Sequence, residues 1–177
     1  MRTLRHLHLV GETPGDEELV RALKEMRGLE VLMLINPDSE EGELGDRFLE
    51  AMDPRKSRRE GGSMACLVPR LRKFEYQGRV SFNPHKLVKF LVQRWKPEST
   101  YEAYRSKLFS QSLVPMDVDF ELEDLSLPHV SALESVILTT AKKTQFDSDD
   151  ADTVRRLIED GMHLEFVKDV NADGPGW

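Results

Sequence analysis

The feature that most constrains this fold is a short apolar pattern that recurs four times along the chain. Each copy fits Leu-x-x-Leu-x-Leu, with aromatic or β-branched residues replacing leucine in the later copies. The anchors are Leu4, Leu7 and Leu9; Leu29, Leu32 and Leu34; Leu71, Phe74 and Tyr76; and Leu133, Val136 and Leu138. Polar turn residues and an amphipathic stretch follow each copy. The pattern predicts strand–helix units that stack on one another.

Hydrophobic periodicity places the elements within these units. Strands are predicted at about residues 4–9, 31–35, 73–76 and 135–138, with a further short strand at 163–167. Helices are predicted at about residues 16–26, 44–52, 84–95 and 150–160. Asn83 is expected to cap the third helix, which has Pro84 at its first position. Gly161 is expected to end the last helix.

The spacing of the units is irregular. Successive first anchors lie 25, 42 and 62 residues apart (29 − 4, 71 − 29 and 133 − 71). Because leucine-rich repeats run at roughly 20–29 residues, the longer gaps predict a basic surface loop at 53–63 and an insertion at 98–132. Within the insertion, residues 101–109 suggest a helix and 117–122 a strand. The prediction is one α/β domain over residues 1–177, an irregular leucine-rich-repeat solenoid with its parallel sheet concave and its helices convex.

Composition excludes several classes of function. The net charge of −7 argues against binding nucleic acid through a basic face. Cys66 is the single cysteine, so the chain forms no internal disulfide and no cysteine zinc cluster. No apolar run approaches the roughly 20 residues of a membrane span, and the first residues lack a signal peptide's apolar segment. We expect no membrane association and an intracellular location, cytoplasmic or nuclear.

Strand alternation predicts a binding surface. If the repeat leucines point inward, the intervening side chains form the opposite, concave face and are available to a protein partner. These predicted partner-binding residues are His6, His8, Val31, Met33, Lys73, Glu75, Ser135 and Ile137. Val31, Met33 and Ile137 are apolar where bare solvent would favour polar residues, which indicates a contact site. The alternative is that an inserted loop or a neighbouring domain covers them.

The units resemble the leucine-rich-repeat regions of fungal F-box-like proteins. The segments that carry the likeness are LRHLHLVG, DEELVRALKEMRGLEVLML, CLVPRLRKFEYQG, the helix ending in VQRW, and LESVIL with DTVRRLIEDGMHLEF. The resemblance implies the substrate-recognition or scaffold part of a cullin-type ubiquitin ligase.

One element of that family is missing from this chain. No segment resembles an F-box, and residue 4 already belongs to a repeat. A ligase adaptor is therefore expected as a partner only if an F-box lies upstream. The chain is expected to be a fragment, a truncated gene product or one end of a larger protein. The main prediction is a non-catalytic protein-binding module; the alternative is a truncated or degenerate repeat protein without independent function.

Catalytic and metal chemistry are disfavoured. His6 and His8 share a strand face, but no third metal ligand is evident in sequence, so two solvent-facing residues are the favoured interpretation. The acidic run around Asp147–Asp152 has the wrong spacing for a calcium loop and suits helix capping. Cys66 could pair with His85 or His129 as a nucleophile, yet its apolar setting favours a buried structural thiol. We predict no enzyme, no cofactor and no metal.

Charge is polarised along the chain. Residues 53–79 carry eight Lys and Arg against three acids, whereas residues 116–173 carry fifteen acids against five bases. The functional interpretation is electrostatic steering of a partner with complementary charge. The simpler and favoured interpretation is a solvated loop beside an acidic surface.

Overall fold

The computed structural model describes residues 4–11, 14–36, 43–54, 66–95, 130–140 and 144–168. Within these ranges, five strands alternate with four helices, which confirms the α/β class. In chain order they are β1 (His6–Val10), α1 (Asp16–Leu23), β2 (Val31–Ile35), α2 (Asp46–Ala51), β3 (Lys73–Gly78), α3 (Pro84–Trp95), β4 (Ser135–Thr140), α4 (Ser148–Glu159) and β5 (His163–Lys168).

The five strands form one sheet in which spatial order follows chain order and every pairing is parallel. The repeat pattern sets the register, so equivalent anchors lie side by side across the sheet. One such row is Leu7, Leu32, Phe74, Val136 and Leu164. A one-residue slip would turn every anchor away from the core. The spacing of the anchors therefore fixes the pairing, whatever the length of the connection between units.

The core lies between one face of the sheet and the helices. On β2, β3 and β4 the inward apolar side chains are at most 1% exposed; they are Leu32, Leu34, Phe74, Tyr76, Val136 and Leu138. They form one cluster with buried residues from all four helices, among them Leu23, Phe48, Leu91 and Leu157. Burying a side chain of this size contributes roughly 1.5–3 kcal/mol. This layer is the main source of stability in the fold.

Hydrogen bonds between neighbouring units hold the helix N-termini in line. The carboxylate of Asp16, at the start of α1, accepts the Gly45 N–H with both oxygens at 3.0 Å. Asp46, at the start of α2, accepts the Asn83 N–H at 2.8 Å. Because the exposed N–H groups of a helix N-terminus favour negative charge, each aspartate stabilises its own helix as well as the junction with the next. The same contact thus recurs from unit to unit.

The predicted caps and stops of the later helices are confirmed. The side chain of Asn83 accepts the His85 N–H at 2.9 Å, and Asp147 accepts the Asp150 N–H at 2.8 Å. Gly161 follows α4 with φ of +101°, the left-handed conformation that glycine adopts without strain.

Several boundaries differ from the predictions by one to three residues, and the contacts of α1 and α2 explain two of these differences. α1 ends at Leu23 rather than near residue 26, because the following N–H groups turn back to Ala22 and Leu23 in a tighter turn. Leu44 precedes α2 and pairs with Val80 in an isolated bridge instead of joining the helix. The loop predicted at 53–63 is described only at residues 53 and 54, and the insertion predicted at 98–132 only at residues 130–132. The helix and strand expected within the insertion lie outside the described residues.

Candidate functional site

The second face of the sheet, here called the outer face, is the candidate site. Alternate residues of each strand point away from the helices, and none of them is buried. The outer face consists of His6, His8 and Val10 from β1; Val31, Met33 and Ile35 from β2; Lys73, Glu75 and Gln77 from β3; Ser135, Ile137 and Thr139 from β4; and His163, Glu165 and Val167 from β5. Parallel sheets normally bury both faces, so this exposure is unusual.

Register divides the outer face into three rows of different chemistry. The first row is His6, Val31, Lys73, Ser135 and His163. The middle row is His8, Met33, Glu75, Ile137 and Glu165. The last row, at the carboxyl ends of the strands, is Val10, Ile35, Gln77, Thr139 and Val167, and it carries no charge. Apolar character therefore increases toward the carboxyl ends, and titratable groups lie in the first two rows.

The apolar side chains of the outer face do not belong to the core. Met33, Ile35 and Ile137 are neither part of the buried cluster nor packed against it. Val10 is 69% exposed and Val167 is 37% exposed. All four described helices pack on the other side of the sheet, since each contributes buried residues to the inner cluster. Folding of the described residues therefore does not account for apolar residues at these positions.

Opposite charges on and beside the outer face largely neutralise one another. At its centre the Lys73 ammonium lies 3.4 Å from the Glu75 carboxylate. Just before the strands, Arg5 lies 3.6 Å from Glu30, and the Arg72 guanidinium lies 3.2 Å from the Glu134 carboxylate. Exposed pairs of this kind contribute about 0–1 kcal/mol to stability. Two bases of the predicted basic region, Arg72 and Lys73, are therefore paired rather than available as a free positive patch.

All eight residues predicted from sequence lie on the outer face. His6 and His8 are exposed, and the other six are partly exposed. Their role in binding a partner stays a prediction.

Sequence reasoning missed the contribution of β5 and the whole last row. The signal was present in HLEFV, where Leu164 and Phe166 have the spacing of inward residues and so place His163, Glu165 and Val167 outward. Val10, Gln77 and Thr139 were missed because the strands predicted at 4–9, 73–76 and 135–138 ended before them; Ile35 lay within the strand predicted at 31–35 but was not assigned to the binding face.

Cys66 and His85 do not lie close enough to act together as a nucleophile and its base. The thiol is 2% exposed, with the carbonyl oxygens of Met52 and Leu67 within 3.4 Å. Burial raises the pKa of the Cys66 thiol, and the guanidinium of Arg94 opposes that rise only in part. Arg94 lies near the end of α3 and His85 near its start, roughly 13 Å apart along the helix axis. His129 lies outside the described residues.

Arg94 has a structural role that the sequence did not indicate. Its side chain is fully buried and donates to the Cys66 sulfur at 3.2 Å, the Val68 carbonyl at 3.3 Å and the Leu71 carbonyl at 3.1 Å. Burial lowers the pKa of Arg94. The guanidinium thereby ties α3 to the turn that precedes β3, where Val68 adopts a positive φ of 42°.

The acidic run before α4 is used for capping and for an inter-helix contact. Asp147 caps the helix, and the carboxylate of Asp150 lies 3.0 Å from Nδ1 of His85 on α3. In the described part of the chain, no three His, Cys, Asp or Glu side chains group so as to hold a metal ion.

A small depression lies between α2 and α3, on the helix side of the molecule. Its volume is about 100 Å³, and its lining includes Leu49, Lys86 and Phe90. Small-molecule sites typically occupy about 300–1,000 Å³, so this depression does not offer a site for a substrate of ordinary size.

Among the described helices, none has both the length and the apolar character needed to cross a membrane. No protein-family model, curated protein or solved structure matches this chain.

Proposed function

We propose that this chain is a non-catalytic protein-binding module whose outer sheet face contacts a partner protein. The observation that supports the proposal best is the set of apolar side chains on that face, because none of them packs on the core. Val31, Met33 and Ile35 lie together on β2, and Ile137 lies on β4 beyond the polar residues of β3. Exposed apolar groups of this kind mark interaction surfaces more often than isolated residues do. Met33, Ile35 and Ile137 are the residues expected to contribute most of the contact.

The architecture that we infer is a leucine-rich-repeat solenoid with the outer face concave and the helices convex. Its support is the agreement between strand order and chain order, together with helices that contact their successive neighbours. On this model each strand adds one column to a continuous binding surface. The resemblance to fungal F-box-like proteins extends the proposal to substrate recognition or scaffolding, with a ligase adaptor as a partner only where an F-box is present.

The experiment compares proteins captured by the wild-type chain and by two sets of variants. The outer-face set contains Val31→Asp, Met33→Lys, Lys73→Glu and Ile137→Lys, each tested separately. The control set contains Arg21→Glu and Lys89→Glu, which alter charge at exposed positions on the helices. Circular dichroism and thermal unfolding check that every variant retains the fold.

The proposal predicts a partner that is lost from the outer-face variants and retained by the helix variants. A partner retained by all four outer-face variants, or lost equally from both sets, would exclude the outer face as the binding surface. The competing hypothesis, a degenerate repeat protein, predicts a chain that aggregates or unfolds without cooperativity. A sharp thermal transition of a monomer would therefore count against it.

A further inference from the structure

The amino-terminal edge of the outer face brings together three potential metal ligands that are distant in sequence. His6 and His8 lie on the same side of β1, about 6.6 Å apart at their Cα atoms from strand geometry. Register places Met33 of β2 directly beside His8, at a strand spacing of about 4.8 Å. Two imidazole side chains and one thioether side chain therefore lie on a single patch of the outer face, although His8 and Met33 are 25 positions apart in sequence (33 − 8).

These two histidines differ from the other histidines of the described chain. His85 lies 3.0 Å from the Asp150 carboxylate, and His163 lies 3.0 Å from the Ser135 hydroxyl. Within the described residues, His6 and His8 have neither a hydrogen bond nor an ion pair through their side chains, and both are exposed. Their ring nitrogens are thus available without breaking an existing contact.

The types of donor atom in and around the patch indicate which metal ion it would bind. Of the two carboxylates in the same row, Glu75 lies on β3 beside Met33 and is paired with Lys73 at 3.4 Å, and Glu165 lies on β5 at the far edge of the sheet. Magnesium, calcium and manganese prefer oxygen ligands, and zinc sites are usually completed by four ligands in a tetrahedron. A thioether with imidazoles is a soft donor set, which favours monovalent copper.

We propose that His6, His8 and Met33 form a surface binding site for Cu(I). The site shares His6, His8 and Met33 with the proposed protein-binding face, but Cu(I) affinity is measured without a partner protein, so either proposal can fail alone. Strand pairing holds the three residues on neighbouring positions of the same sheet face.

The test titrates the purified full chain with Cu(I) under anaerobic conditions, against a chromogenic Cu(I) chelator. His6→Ala, His8→Ala and Met33→Leu should each weaken the affinity by more than about tenfold, since loss of even an outer-shell partner costs 10–100-fold. His163→Ala, a histidine at the opposite edge of the same face, should leave the affinity unchanged. Thermal unfolding of each variant separates loss of ligand from loss of fold.

X-ray absorption at the copper edge identifies the atoms bound to the ion. This signal would not change if His6, His8 and Met33 had only a structural role. The wild-type complex should show nitrogen and sulfur scatterers, and Met33→Leu should remove the sulfur. If the sulfur signal remains in Met33→Leu, the ion is bound by a different sulfur atom, and the proposed site is wrong. Equal Cu(I) affinity of the wild type and the His6→Ala/His8→Ala double variant would overturn it as well.

Discussion

The two faces of the same five strands obey different constraints. Phe74 is 1% exposed and lies in a cluster shared by all four helices, whereas its neighbour Glu75 faces outward and pairs with Lys73. The same contrast separates Val136 from Ile137 on β4, although both are β-branched and apolar. The residue types at inward positions are determined by packing, since a change of even one methylene group in a close-packed interior lowers stability. Outward positions are free of that requirement.

The comparison identifies the outward positions whose residue types are not explained by packing of the core. Polar residues on the outer face, such as Gln77 and Thr139, are what solvent exposure alone would favour. Apolar residues there, such as Met33 and Ile137, oppose that preference without adding to the core. Packing of the described residues therefore does not account for the apolar side chains of the outer face, and substitutions can measure the effect of each face on folding separately.

The largest expected contrast is between adjacent residues of β3. Phe74→Ala should lower the free energy of unfolding by about 3–5 kcal/mol, because it leaves a cavity in the core. Glu75→Ala should change it by less than about 1 kcal/mol, the range for exposed ion pairs. Chemical denaturation of both variants measures the difference. Similar losses for the two would show that β3 does not have one buried and one exposed face.

Arg94 is a charged residue that is fully buried. Arg94→Ala should lower the free energy of unfolding by about 2–4 kcal/mol, because it removes donors to two buried carbonyls and to the Cys66 sulfur. Arg156→Ala, at an exposed position on α4, should lie within about 0.5 kcal/mol of the wild type. Urea denaturation of the pair provides the measurement. Equal stability of the two variants would contradict a structural role for the guanidinium.

The contact between α2 and α3 should have a smaller and pH-dependent effect. The hydrogen bond from Lys86, at 2.7 Å, and that from the Asn83 N–H lower the pKa of Asp46 below its usual 3.8, although partial desolvation opposes them. The folded state thus binds the proton more weakly than the unfolded state, so the stabilisation is present above pH 3.8 and disappears as pH falls through the lower folded pKa.

Asp46→Asn should therefore cost less than about 1 kcal/mol at pH 7, and its difference from the wild type should shrink below pH 3.8. Thermal unfolding from pH 3 to pH 7 follows this difference. Asp152→Asn, which disrupts an exposed pair with Arg155 within α4, is the matched control. A wild-type advantage that persists unchanged at acid pH would contradict the role of the Asp46 carboxylate.

Much of the fold could be predicted because the spacing of the apolar anchors shows which residues form strands and which side of each strand faces the core. The bounds predicted for β2 match the structure, and β3 pairs with β4 in the expected parity across a gap of 62 residues (133 − 71). Side chains alternate along a strand, so residues that must be buried determine pairing regardless of the loop between them.

The parts that sequence did not predict depend on contacts between distant units. Nothing near His8 in sequence identifies Met33 as its neighbour, because that proximity follows from the pairing of β1 with β2. The burial of Arg94 likewise depends on the turn around Val68, where carbonyl groups converge on the end of α3. Arg72 and Lys73 belong to the basic region for which steering of a partner was the less favoured interpretation, and each has an acidic partner in space that the sequence did not indicate.

The central claim is that one face of this sheet is uncovered, and thiol accessibility tests it most directly. Because the native Cys66 is buried, an added cysteine can be followed against a low background. Ile137→Cys and Val136→Cys place thiols at adjacent positions on opposite faces of β4. In the folded protein, the first should react with a thiol reagent at nearly the rate seen in denaturant, and the second should be strongly protected. Protection of both positions would show that the outer face is covered and would contradict the account.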